Sequence, residues 1–110
     1  WLCPVNRQYN AETDEKLYKR ETGRLELSLS HARKTAPGKR IIGMMHYPPS
    51  DQDGSPTNFT SLFEAYGVSQ VVYGHLHAAS LKGALSGTVR GVSYTLVSCD
   101  ALNFSLRQLV

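Results

Sequence analysis

The sequence predicts an α/β fold built on a βαβ unit that is followed by short β-strands. Two runs with high β-propensity, residues 40–45 and residues 70–73, lie on either side of an amphipathic segment, residues 57–66. The succession of strand, helix and strand favours parallel pairing of the two strands. The chain of 110 residues, 41% hydrophobic and 19% charged, suits one domain with a modest core.

The N-terminal third predicts an irregular lead-in and one long helix. Residues 1–12 contain a proline and turn-forming asparagines and show little periodicity. A helix is expected from Thr13 or Asp14, either of which suits an N-cap, to about Lys34, where residues 36–38 end it with Pro37. The apolar stripe of this helix is formed by Tyr18, Leu25, Leu29 and Ala32.

The central third supplies the βαβ unit. The strand at residues 40–45 is apolar on both faces, as parallel strands usually are. Residues 47–56 are rich in prolines and turn formers, which predicts a surface loop. Within that loop, Asp51 to Gly54 resembles the start of a calcium loop, but the acidic ligand that would close it is missing, so an ordinary turn is expected. A short helix at residues 57–66, ended by Gly67, leads into the strand at residues 70–73.

The C-terminal third predicts only short elements. Glycines at positions 83, 87 and 91 divide it into short pieces. Residues 92–98 have the strongest strand propensity of this region, and residues 106–110 are expected to add one more strand.

Three histidines follow the two strands of the βαβ unit. His46 comes directly after the first strand, and His75 and His77 come after the second, with Gly74 in a position to turn the chain sharply. The C-terminal ends of adjacent parallel strands meet at one edge of the sheet, so these residues converge by topology. On extended backbone, residues two apart point to the same side. The pattern predicts His46, His75 and His77 as metal ligands, whereas His31, late in the long helix, is expected to be solvated.

Composition limits the other classes of function. The formal charge is +3 and basic residues are interspersed with acidic ones, which disfavours a nucleic-acid interface without excluding one. Two cysteines are too few for a disulfide framework, and Cys99, in an apolar run, is expected to be a buried thiol. No apolar run is long enough to cross a bilayer. These observations favour a cytoplasmic protein without membrane contact.

Two motifs resemble a known family. Met45-His46-Tyr47-Pro48-Pro49 and Tyr73-Gly74-His75-Leu76-His77 are similar to the later motifs of calcineurin-like metallophosphoesterases, a histidine before proline and a Gly-His-x-His. Trp1, the helix at residues 14–29 and the run at residues 97–100 resemble a bacterial branch of predicted phosphohydrolases. The resemblance implies that residues 1–110 are a single-domain C-terminal half of a four-layer α/β/β/α sandwich. The N-terminal metal-binding half would be absent from this chain.

The same resemblance implies a function for the complete protein: hydrolysis of a phosphomonoester or phosphodiester by a hydroxide that bridges two divalent ions of Mn, Fe or Zn. His46 and His75 would bind one ion and His77 the other, and Tyr47 would line the substrate crevice. The family's catalytic histidine and its Asp-x-His, Gly-Asp and Gly-Asn-His motifs do not occur in residues 1–110. The chain alone is therefore expected to be inactive, and the site contains no catalytic residue of its own.

Two further interpretations stay open. Asp100 is expected either to have a structural role or to hydrogen-bond to a metal ligand without binding the metal itself. The alternative function is a non-catalytic protein-binding or oligomerisation module with a decayed or incomplete metal site. Half of a sandwich would leave apolar sheet surface uncovered, so either self-association or a missing N-terminal half is expected to cover it.

Overall fold

The computed structural model describes residues 3–110, so Trp1, which contributes to the resemblance, lies outside the described residues. The elements are, in order, α1 (Ala11–Thr35), β1 (Ile42–Met45), α2 (Asn58–Ala65), β2 (Gln70–Tyr73), a 3-10 helix (Ala78–Gly83), β3 (Gly87–Val89) and β4 (Val92–Leu96). No helix among the described residues is long and apolar enough to cross a membrane.

One four-stranded sheet organises the chain, with the strand order β1-β2-β4-β3. Strands β1 and β2 are parallel, and Met45 lies opposite Tyr73 at their C-terminal ends. Strand β4 is parallel to β2 on its other side, and β3 pairs antiparallel with β4. The predicted α/β class and the parallel βαβ unit are therefore confirmed.

Helix α1 begins earlier than the sequence predicted. Its N-cap is Asn10, whose side-chain oxygen accepts a hydrogen bond from the amide of Glu12, and not Thr13 or Asp14. Asp14 lies inside the helix, where its carboxylate accepts a hydrogen bond of 3.0 Å from the Asn10 amide. The prediction failed because several adjacent residues are good caps, and propensity alone does not choose among them.

The core lies between the two helices and one face of the sheet. A side-chain carbon at Gly43 of β1 would lie 2.9 Å from the ring of Phe63 in α2, so α2 packs closely on this face. Helix α1 packs against α2 through Tyr18, whose ring meets that of Phe59 edge-on with centroids 5.4 Å apart. The buried apolar side chains include Tyr18, Leu29, Phe59, Phe63, Val71, Tyr73, Leu85, Val92 and Tyr94.

Arg33 joins the two helices at the C-terminal end of α2. Its guanidinium donates hydrogen bonds to the carbonyl oxygens of Tyr66 and Gly67, which follow α2, and to that of Lys39. The last carbonyls of a helix lack partners within the helix and carry partial negative charge. The guanidinium of Arg33 therefore provides hydrogen-bond donors for the carbonyl groups at this end of α2 and stabilises it.

The opposite face of the edge strand β1 is less covered than the sequence predicted. Met44 alternates with the buried Gly43 along β1, and its side chain is 85% exposed. The expectation that β1 is buried on both faces is therefore wrong for this edge strand. In the described residues the helices pack on the Gly43 face.

The C-terminal region also differs from the prediction in two places. Residues 105–110 form no strand, although Arg40 donates a hydrogen bond of 3.3 Å to the Leu109 carbonyl. Strands β3 and β4 form a hairpin whose two connecting residues, Arg90 and Gly91, have φ angles of 46° and 82°. Positive φ at both positions is typical of the tight turn that matches strand twist.

Candidate metal centre

The candidate site lies where β1 and β2 end. One residue beyond the paired strands, the amide of Gly74 donates a hydrogen bond of 3.0 Å to the carbonyl oxygen of His46. This bond extends the β1–β2 ladder and places His46 beside the start of the Gly74–His77 segment. The convergence of the two strand ends follows the parallel pairing that was predicted.

The rings of His46 and His75 lie side by side. Their centroids are 5.3 Å apart at an interplanar angle of 69°. The Tyr47 ring completes the group, with its centroid 4.4 Å from that of His75 and 4.8 Å from that of His46. All three side chains are exposed to solvent, so an ion or a ligand can reach them directly.

The backbone turns at His75, not at Gly74. His75 has φ of 71°, and the amide of Leu76 donates a hydrogen bond of 2.9 Å to the Gly74 carbonyl across it. This three-residue turn with positive φ is rare and strained for a residue with a β-carbon. The segment from His75 to His77 is therefore not extended, and the premise that both imidazoles point the same way from a strand is wrong. Strain of this kind is concentrated at functional sites.

His77 is held by Asp100. The Nδ1 atom of His77 lies 2.8 Å from Oδ1 of Asp100, and the amides of Ala78 and Ala101 donate to the same carboxylate at 2.8 and 3.0 Å. The hydrogen bond from Ala78, followed by the contact with His77, lowers the pKa of Asp100. An ionised carboxylate only accepts hydrogen bonds, so Nδ1 of His77 carries a proton, and in the neutral form of the ring Nε2 has the lone pair. In metal-binding histidines, the ring nitrogen that does not bind the metal commonly donates a hydrogen bond to a carboxylate, which fixes the orientation of the ring.

Cys99 lies beside this pair. One ligand atom each from His77, Cys99 and Asp100 falls within 4.8 Å of the others. The thiol is free and exposed, so the expectation of a buried Cys99 is wrong. The chain leaves β4 at Leu96 and turns at residues 99–104, which brings the thiol to the surface. No sequence pattern links positions 77 and 99, because the contact arises only from the parallel pairing of β2 with β4.

The electrostatics of the site favour neutral imidazole at His75. Its partial removal from water lowers the pKa of His75, and the nearby His46 and His77 lower that pKa further. A neutral imidazole has the lone pair that a metal ion needs. His46 and His75 are thus one pair of ligand candidates, and His77 with Asp100 and Cys99 is a second group. In the described residues, this second group brings three ligand-type side chains within 4.8 Å of one another, but Asp100 is already hydrogen-bonded to Nδ1 of His77 and therefore orients that ring.

The remaining sequence candidates have ordinary roles in the structure. His31 is exposed on α1, as predicted. The residues from Asp51 to Gly54 form a turn in which the Gly54 amide donates to the Asp51 carbonyl at 2.9 Å. Asp53 accepts hydrogen bonds from the amide and hydroxyl of Ser55.

No protein-family model matches this chain, and no curated protein and no solved structure gives a significant match.

Proposed function

We propose that this chain contributes His46, His75 and His77 to a two-metal phosphoesterase centre in the complete protein. The observation that carries the proposal is the pairing of His46 with His75, 5.3 Å apart between ring centroids, at the C-terminal edge of two parallel strands. Open α/β sheets bind their ligands at this edge. Two histidines that project together into solvent at such an edge are poor core residues and good ligands.

The donor set fits divalent ions of Mn, Fe or Zn. His75 has a lowered pKa, which keeps its ring neutral, and the Asp100 carboxylate fixes the tautomer of His77. Imidazole suits Zn and Fe, and carboxylate ligands from elsewhere in the protein would extend the range to Mn. Two such ions supply the positive charge that polarises a phosphoryl group and acidifies a water.

The residues of this chain have three tasks in the proposed centre. His46 and His75 hold one ion, and His77, oriented by Asp100, holds the other. Tyr47 lies against His75 and lines the side of the crevice from which a phosphate ester approaches. Residues 1–110 supply no carboxylate motif to bridge two ions that repel each other, so we propose that this chain alone is inactive.

The proposal includes a four-layer architecture for the complete protein. The sheet face that carries the exposed Met44 would then pack against a second sheet, and the helices already cover the other face. We also place the protein in the cytoplasm, in keeping with its free thiols at Cys3 and Cys99.

Calorimetric titration with Zn²⁺ and Mn²⁺ tests the proposal. The measurement compares residues 1–110 with the full-length product of the encoding gene, and each is prepared unchanged and with His46, His75 and His77 replaced by alanine. We expect weak metal binding by the short chain and tight binding of two ions by the full-length protein. In each protein, metal binding should be lost when the three histidines are replaced. Hydrolysis of bis(4-nitrophenyl) phosphate should require the full-length protein and the metal.

The His31→Ala variant is the matched control, because it removes an exposed histidine from α1 without touching the site. It should bind metal as the unchanged protein does. If the full-length protein binds no metal, or if the triple variant keeps its metal, the phosphoesterase proposal fails.

A second candidate function is a non-catalytic binding or oligomerisation module. It is favoured by large apolar side chains that are at least three-quarters exposed, namely Met44, Phe104, Leu106 and Val110. Apolar surface of this kind is typical of interaction sites. Light scattering on the purified chain tests it: a dimer that Met44→Lys converts to monomer supports the module, and a monomer at high concentration excludes self-association.

A further inference from the structure

A cavity of about 500 Å³ lies next to the candidate metal centre, between α1 and the end of β1. Leu25, Met45 and Phe59 form its apolar lining, which we call the floor, and His46 and Tyr47 also line the cavity. Binding pockets for small organic molecules usually have volumes of about 300–1,000 Å³ and mostly apolar linings. The cavity is therefore large enough for an organic group and opens onto His46.

The floor of the cavity consists of apolar side chains that pack against the core. Phe59 is only 7% exposed, because it packs edge-on against Tyr18 of α1. Leu25 and Met45 are half-buried and pack against the same core. A sugar or another polyol placed here would leave its hydroxyls without partners along this floor, which disfavours such a ligand.

The charged residues that line the cavity are paired on α1. Glu21 and Arg24 lie one turn apart, and Oε1 of Glu21 is 3.4 Å from Nη1 of Arg24 and 2.9 Å from Nε of Arg20. An anionic group placed beside Arg24 would compete with the Glu21 carboxylate. The anionic part of a ligand is better placed beside the imidazoles of His46 and His75.

We propose that this cavity holds the organic portion of the substrate, and that the substrate is a phosphate ester of an apolar, preferably aromatic, alcohol. The inference rests on the proposed function for the position of the phosphate at His46. Leu25, Met45 and Phe59 are then the residues that determine specificity, and Tyr47 lies where the organic group joins the phosphate. Smaller or more polar esters lose the contact with the floor.

NMR titration of ¹⁵N-labelled chain tests the inference with two probes, 1-naphthyl phosphate and methyl phosphate. Each probe is added in a metal-free buffer and again with Zn²⁺. We expect 1-naphthyl phosphate to bind at least tenfold more tightly, a ratio that corresponds to about 1.4 kcal/mol. The amide signals of Leu25, Met45 and Phe59 should shift with this probe and stay in place with methyl phosphate.

Two substitutions on α1 make a matched pair. Leu25→Trp fills the cavity and should abolish the preference for the naphthyl ester, whereas Leu27→Trp adds the same ring at a side chain that is 73% exposed and should leave it unchanged. If Leu25→Trp does not fold, Leu25→Ala, which favours the helix, should reduce the preference by removing part of the floor. Equal affinities for the two probes, or equal effects of the Leu25 and Leu27 variants, would overturn the inference.

The two proposals fail in different ways. If Zn²⁺ binds through the histidines but the two esters bind equally, the cavity inference is wrong and the metal centre stands. If the naphthyl ester is preferred without metal and the full-length protein binds no Zn²⁺, the cavity is a pocket for aromatic anions and the phosphoesterase proposal is wrong.

Discussion

The amide of Gly74 donates a hydrogen bond of 3.0 Å to the carbonyl oxygen of His46. This single bond continues the parallel ladder of β1 and β2 past the residues that form the strands. It fixes His75, the next residue, beside His46, so the two imidazoles meet although they are far apart in sequence. The pairing of His46 with His75 therefore follows from backbone register, whereas His77 is held by its contact with Asp100.

The turn at His75 provides the first prediction. His75 has φ of 71°, a conformation that costs a residue with a β-carbon about 1–3 kcal/mol and costs glycine little. We expect His75→Gly to have a free energy of unfolding about 1 kcal/mol higher than His75→Ala, since both lose the imidazole and only alanine keeps the strain. Urea denaturation of the two variants measures the difference. Equal stabilities would show that the turn relaxes when the ring is removed.

The sequence was sufficient to predict the convergence of His46 with the Gly74–His77 segment, because parallel strands joined by a helix place their C-terminal ends at one edge. The strand Gln70–Tyr73 and the helix after Thr57 were also predicted with nearly correct bounds. These elements have strong local signals: a β-rich apolar run in one case, and a capping threonine followed by apolar residues at helical spacing in the other.

Contacts between segments that are distant in sequence could not be predicted from local sequence signals. The conformation of His75 depends on the Gly74–Leu76 hydrogen bond, and positive φ is not the intrinsic preference of histidine. The pairing of Asp100 with His77 requires β4 to lie beside β2, which sequence propensity does not determine. Arg33, which satisfies the end of α2, looked like any other charged residue near a helix terminus.

Two buried tyrosines provide the second prediction. The hydroxyl of Tyr73 donates a hydrogen bond of 2.7 Å to the Leu85 carbonyl, whereas the hydroxyl of Tyr94 has no partner among the described residues. We expect Tyr73→Phe to lower the free energy of unfolding by about 1–3 kcal/mol, because it leaves a buried carbonyl unpaired, and Tyr94→Phe to be neutral or stabilising. Urea denaturation compares the two. A loss of stability in Tyr94→Phe that equals the loss in Tyr73→Phe would contradict this assignment.

Ionisation of the same two tyrosines is expected to reduce the stability of the protein at alkaline pH. Burial raises the pKa of Tyr73 and the pKa of Tyr94 from 10.0 to about 12. Because the folded-state pKa lies above the unfolded value, this stabilisation is complete below about pH 10 and is lost as the pH rises through 12. Urea midpoints measured from pH 8 to pH 11 should be level at first and then fall. In Tyr94→Phe, which retains a single buried phenol of the two, the fall above pH 10 should be shallower than in the unchanged chain.

Asp100 provides the last prediction, because its carboxylate fixes the proton on Nδ1 of His77 and so exposes Nε2 to an ion. Asp100→Asn keeps the size of the side chain and an oxygen that accepts from the Ala78 amide, but its amide group no longer holds the His77 ring as strongly. Removal of such a carboxylate typically weakens metal affinity about 10–100-fold. Calorimetry with Zn²⁺ on the complete protein that we propose should show a loss in this range. Asp14→Asn is the matched control, since Asp14 is also half-buried and accepts a hydrogen bond from a backbone amide, that of Asn10, but lies at the start of α1. Equal Zn²⁺ affinity in the two variants would contradict the role of Asp100 in orienting His77 for metal binding.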